Sequence, residues 1–156
     1  MVLSSSFDPV VTELKKEFDD NLVAVALFGS VARGEAKPRS DLDFLVILTD
    51  KTRDRDRLCR VYQCIHRIVT ADGVSRDVTV LESDEDFIVS NDTEVTPLIL
   101  NIAADAIILH DPKHKLSSFI DKVKKIIDLA GLERYKVETG EYGWKPKDGV
   151  LHEVEV

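Results

Sequence analysis

Within "LFGSVARGEAKPRSDLDFLV", residues 27–46, two small groups are equipped for chemistry. One is Gly29-Ser30, and the other, after ten intervening residues, is the acid pair Asp41 and Asp43. Residues i and i+2 of a strand point to one face, so the two carboxylates project together where the second apolar run begins. Side by side they repel unless a cation lies between them. Magnesium suits that position, because it takes oxygen ligands and shares them with bound phosphates. The Gly-Ser turn offers the phosphate its partner. A strand that turns straight into a helix leaves backbone N–H groups unpaired, Gly29 allows close approach, and Ser30 adds a hydroxyl. Neither half is specific alone, since ordinary strand-to-helix turns and solvated strand-end acids are common. Two other phosphate patterns are absent: Glu35 stands where a Walker loop needs Lys after Gly34, and there is no G-x-G-x-x-G.

A third acid strengthens the pair. In "SRDVTVLE" the face carrying Asp77, Thr79 and Leu81 starts polar and turns apolar, as does the face carrying Asp41, Asp43, Leu45 and Ile47. If the two strands are neighbours, three carboxylates meet at one sheet end, while Glu82 points to the other face. Arg33, Lys37 and Arg39 lie between the halves of the motif and could neutralise phosphate charge. Arg33 has the best case, one turn into the expected helix.

The elements that must position these groups follow from periodicity. "FDPVVTELKKEFDD" reads as an amphipathic helix with a cap at Asp8 and Pro9 at its first position, and "NLVAVALFG" as a buried strand. A short helix is expected over 30–36, a turn at "KPRS" and a second strand in "DLDFLVILTD". Residues 54–71 carry a helical stripe of Leu58, Val61, Tyr62, Ile65, Ile68 and Val69. "SRDVTVLES" reads as a third strand, "DEDFIVSN" and "TPLILNIAADA" as helices, and "IILHD" as a fourth strand. The clearest stripe, Leu116, Phe119, Ile120, Val123, Ile126, Ile127 and Ala130, predicts a long helix before Gly131. The order implies an α+β fold, one small mixed sheet flanked by helices. Residues 1–131 form the expected domain. Residues 132–156, without a firm pattern, form a C-terminal tail packed on it or partly disordered.

At 156 residues, with 44% hydrophobic and 32% charged residues, the chain suits a single folded domain with one core. No basic leader or long apolar run occurs, so neither a signal peptide nor a membrane span is expected, and the localisation reads as cytoplasmic. A net charge of −8 argues against gripping free nucleic acid. Cys59 and Cys64 lie roughly 140° apart around a helix, so they cannot bridge each other and are expected as reduced thiols. His110 and His114 flank Pro112, which works against helical i, i+4 geometry, and no histidine metal site is expected.

"GSVARGEAKPRSDLDFLV" resembles the signature of the DNA polymerase beta-like nucleotidyltransferase superfamily, Gly-Ser, ten residues, then Asp-x-Asp. "ARGEA" and "SDLD" are similar to the minimal nucleotidyltransferases of prokaryotes. The likeness is strong over residues 21–50 and continues through Leu81. It implies a palm-type mixed sheet, two Mg²⁺ ions, and transfer of a nucleoside monophosphate from an NTP, with ATP the expected donor. By position, Gly29, Ser30, Arg33 and Ser40 would bind the nucleotide. Asp41 and Asp43 would hold the metals, and Asp77 would be a third ligand that assists deprotonation of the acceptor. Such minimal proteins often serve as the antitoxin beside a small all-helical HEPN protein, and some adenylylate that partner. The resemblance therefore implies protein adenylylation in a toxin–antitoxin pair. A non-catalytic binding module of the same fold, a small-molecule nucleotidyltransferase and a homo-oligomer stay open.

Overall fold

A computed structural model of the chain describes residues 6–37, 40–71 and 77–149. The first helix, α1 (Asp8–Phe18), has Pro9 in its first turn and buries Val10, Val11, Leu14 and Phe18. Phe7 rather than Asp8 occupies the N-cap; Asp8 is already helical, where its charge favours the helix N-terminus. The strands β1 (Leu22–Phe28) and β2 (Leu42–Leu48) are apolar almost throughout. Such runs belong to strands covered on both faces.

The sheet shows that covering. Four strands lie in the order β3-β2-β1-β4, with β3 at Val78–Asp84 and β4 at Ile107–His110. β1 runs antiparallel to β2 and β4, whereas β2 and β3 are parallel. A parallel neighbour needs a crossover, here α3 (Arg57–Val69). On one face α1 and α3 pack with Val25, Leu27, Phe44 and Val46. On the other, α5 (Pro97–Asp105) and α6 (Lys115–Leu129) pack with Ala24, Ala26, Leu45 and Ile47. The short α4 (Asp86–Val89) adds Ile88 to this second layer. Thr96 caps α5 by accepting the Ile99 N–H, and the Asp111 carboxylate accepts the Leu116 and Ser117 N–H groups at the start of α6. The expected mixed sheet flanked by helices is the fold.

One further expectation needs correction. The stripe read for α3 is rotated: Leu58 and Tyr62 are 48% and 40% exposed, while Arg57 and Cys64 are buried. Arg57 is drawn inward by Glu82 and Asp84 of β3, so it shares the buried face with Val61, Ile65, Ile68 and Val69 while Leu58 and Tyr62 stay outside. The segment after Gly131 also has structure. Leu132–Lys136 (β5) and Tyr142–Pro146 (β6) form an antiparallel hairpin, whose Leu132 and Trp144 pack on the α5–α6 layer. Lys147 N–H closes its base on the Gly131 carbonyl at 2.7 Å. Residues 150–156 of the expected tail lie outside the described residues. Both cysteines are free, and among the described residues no helix is long and apolar enough to cross a membrane.

Candidate active site

The site begins where β1 ends. At Gly29 the backbone takes φ +79°, and α2 (Gly29–Ala32) starts there. The helix expected over 30–36 stops four residues early. Gly34, at φ +75°, turns the chain, with the Glu35 N–H returning to the Ser30 carbonyl at 2.9 Å. A four-residue helix has little dipole, so phosphate donors here reduce to the N–H groups of the turn and the Ser30 hydroxyl.

Strand register brings the acids to this turn. Phe28 pairs with Asp43 across β1 and β2, so Gly29 lies directly against the Asp43 side chain. A Cβ on Gly29 would run into Asp43 Oδ2 and come within 3.0 Å of Cγ. Glycine is thus required twice, by its φ and by its neighbour. Asp43 is half-buried and Asp41 exposed. Burial pushes the Asp43 carboxyl above its usual range; the Thr79 hydroxyl opposes this by hydrogen bonding, the Asp41 charge adds to it, and Arg33 opposes it.

The parallel register of β2 and β3 sets Asp43 opposite Thr79, and the Leu42 N–H donates to the Asp77 carbonyl at 2.9 Å. The backbone of Asp77 is therefore level with that of Asp41, on neighbouring strands about 4.8 Å apart. Glu82 is on the opposite face, bound to Arg57. Among the described residues, no Lys or Arg forms an ion pair with Asp41, Asp43 or Asp77. No three His, Cys, Asp or Glu side chains there form a ready-made metal cage. The donors at the rim are hard carboxylate oxygens beside the Gly29–Ser30 turn, a set that fits magnesium together with a phosphate.

The remaining expected residues are placed less simply. Ser40 Oγ accepts the Lys37 N–H at 2.7 Å and so stabilises the turn before β2. Arg39 lies outside the described residues. Arg33 does not hang free: Nη1 donates to Asp105 Oδ2 at 2.8 Å and Nε to Glu35 Oε2 at 3.2 Å. Sequence reading missed Asp105, its second partner Arg134, and Tyr142, whose ring lies against both guanidinium groups. A signal existed, because "VETGE" is a five-residue, Gly-containing link between two aromatic-bearing runs, which is hairpin chemistry.

The fold and rim can be set beside known proteins. Residues 10–139 match the family model described as "Nucleotidyltransferase domain". The "Putative protein adenylyltransferase MJ1305" of Methanocaldococcus jannaschii is 30% identical over 131 residues, 81% of this chain and 84% of that protein. Among solved structures, spectinomycin adenyltransferase AAD(9) from Enterococcus faecialis, with ATP and spectinomycin, superposes with a TM-score of 0.53. It is 16% identical, over 80% of this chain and 67% of that one. A toxin-antitoxin structure with AMP-PNP gives 0.50 at 18% identity, over 77% and 86%. These two share the fold. Together with the Gly-Ser turn and the acid pair at one sheet end, the family match identifies the chain as an enzyme: it belongs to the nucleotidyltransferase family.

Proposed function

We propose that the chain transfers AMP from ATP to a hydroxyl group on a partner protein, with magnesium held by Asp41 and Asp43 and completed by Asp77. The observation that carries this reading is the Asp43 carboxylate lodged against Gly29, with Asp41 beside it and no cation from the described residues between them. Magnesium bound there supplies positive charge to the phosphate oxygens as the bond to the leaving group lengthens. The chain's own residues do the rest. The Gly29–Ser30 turn donates hydrogen bonds to the triphosphate, Ser40 holds the turn that leads to the acids, and Arg33 adds a guanidinium. Asp77, exposed at the same sheet end, takes the acceptor's proton as its oxygen bonds to the α-phosphorus. The bond from that phosphorus to the bridging oxygen breaks, and pyrophosphate leaves.

A protein acceptor is supported by the 30% identity to a protein named as an adenylyltransferase acting on protein. The proposed partner is a small helical HEPN-type protein, with this chain as the antitoxin. The shared fold with one chain of a toxin–antitoxin structure is in keeping with that role. The test is the intact mass of such a partner after incubation with this protein, Mg²⁺ and each NTP in turn. A gain of one AMP mass with ATP supports the reading. An unchanged partner mass alongside NTP turnover points to a small-molecule acceptor. Neutralisation of the partner without turnover points to a binding module.

A further inference from the structure

Arg33 lies just beyond a four-residue helix, which is too short to fix a long side chain. Its anchor comes from 72 residues away. Asp105 ends α5 with its side chain only 4% exposed, and a carboxylate so buried must be paired. It has two guanidinium partners. Arg33 Nη1 reaches Oδ2 at 2.8 Å, and Arg134 of β5 binds in bidentate fashion, Nη1 to Oδ1 and Nη2 to Oδ2, both at 2.7 Å. Tyr142 of β6 lies under both, with its ring centre 4.6 Å from Arg33 Cζ and 4.0 Å from Arg134 Cζ. Its hydroxyl donates to Glu35 Oε1 at 2.7 Å, and Glu35 returns to Arg33, closing a ring of contacts.

One bidentate arginine would already neutralise the Asp105 carboxylate. Asp105 has two, and donors outnumber acceptors: Arg134 Nε is buried without a hydrogen-bond partner, and Arg33 Nη2 makes no hydrogen bond among the described residues. Arg33 itself stands beside the Gly29–Ser30 turn, its backbone N–H on the Gly29 carbonyl at 3.1 Å, with a guanidinium N–H to spare.

We propose that Asp105 is a positioning residue that holds Arg33 in place for the β- and γ-phosphates of the nucleotide, with Arg134 and Tyr142 bracing the pair from the hairpin. This rests on the nucleotide site described above and names what fixes its cation. The hairpin, on this account, is a wall of the phosphate site as well as a cover for the core.

Binding of ATP and of AMP, each with Mg²⁺, measured by calorimetry on the full chain, is the test. A group that acts on the outer phosphates changes the ATP/AMP affinity ratio, whereas a purely structural group changes stability and leaves the ratio alone. Arg33→Gln and Asp105→Asn should each reduce the ratio about ten-fold. The double variant should lose little more than either single one, because the two act as a unit. Arg134→Gln keeps the Arg33–Asp105 contact and should reduce the ratio less; it serves also if Asp105→Asn fails to fold by circular dichroism. A folded Asp105→Asn variant with the wild-type ratio, additive losses in the double variant, or an Arg134→Gln ratio equal to wild type would overturn the assignment while leaving the nucleotide site standing. If wild type binds neither nucleotide, the site reading falls and the assignment with it.

Discussion

The parallel pair β2–β3 carries carboxylates at both ends, and the two ends treat them in opposite ways. At the far end, Glu82 and Asp84 meet Arg57, whose guanidinium reaches each at 2.6 Å, and Arg53 pairs with Asp84 as well. At the near end Asp41, Asp43 and Asp77 sit at neighbouring strand ends, Asp43 against Gly29, and none forms an ion pair with a Lys or Arg among the described residues. Titration behaviour follows. Burial alone would raise the Asp84 carboxyl, but hydrogen bonds from Arg57 and Arg53 hold it below the usual range. Asp43 is half-buried without an arginine hydrogen bond and is held above that range. Equal chemistry at two rims thus serves two ends. Where the chain supplies the counter-charge the rim is structural, and where it withholds it the rim is suited to a cation brought with substrate.

The strongest way to break this contrast is at the near end. Asp41→Asn or Asp43→Asn should each lower nucleotidyl transfer by at least about 10²-fold, the scale for losing one group that stabilises a transition state. Stability should stay level or rise as repulsion is relieved. Transfer assays and thermal melts on the same samples check both, and retained activity in either variant excludes the proposed metal site.

At the far end the balance should reverse. Arg57→Ala strands Glu82, leaves Asp84 with Arg53 alone, and should cost about 3 kcal/mol of stability, while turnover per folded molecule is kept. Denaturant melts and active-site titration separate the two. Glu82→Ala should also destabilise without touching turnover, because Glu82 is a partner of buried Arg57.

Gly29→Ala joins the two measures. It forces a side chain into the left-handed region, a cost of about 1–2 kcal/mol, and pushes on the Asp43 carboxylate. Stability and transfer should fall together, and a variant that loses only stability would detach the turn from the acids.

The smallest effect sharpens the contrast by pH. The Asp84 carboxyl is held low in the folded state, so the unfolded chain takes up its proton first as pH falls. Its contribution is fully present above the ordinary aspartate range, near pH 4, and is lost as pH drops below it through the folded value. Melts of wild type and Asp84→Asn should differ by about 1 kcal/mol or less at neutral pH and converge in acid. A gap that persists at low pH would mean that Asp84 acts through packing instead.

What the amino-acid sequence determines by itself here is local. Apolar runs of seven residues, a proline in the first helical turn, a Gly-Ser turn and acids at spacing two are read from neighbours along the chain, and the structure has strands and helices where those patterns place them. The match of the Asp41–Asp43 face to the Asp77–Thr79 face was also visible, because side-chain alternation is a strand property; that the two strands lie side by side is a tertiary fact. Charge compensation was not visible. Arg57 finds Glu82 25 residues away, Arg33 finds Asp105 72 away, and Tyr142 finds Glu35 107 away. No periodicity links such positions, and ion pairing depends on distance in space. For that reason the sequence presented Leu58 and Tyr62 as core and the last segment as a tail. Only the packed chain turned α3 toward Arg57 and laid Arg134 and Tyr142 against the turn that follows β1.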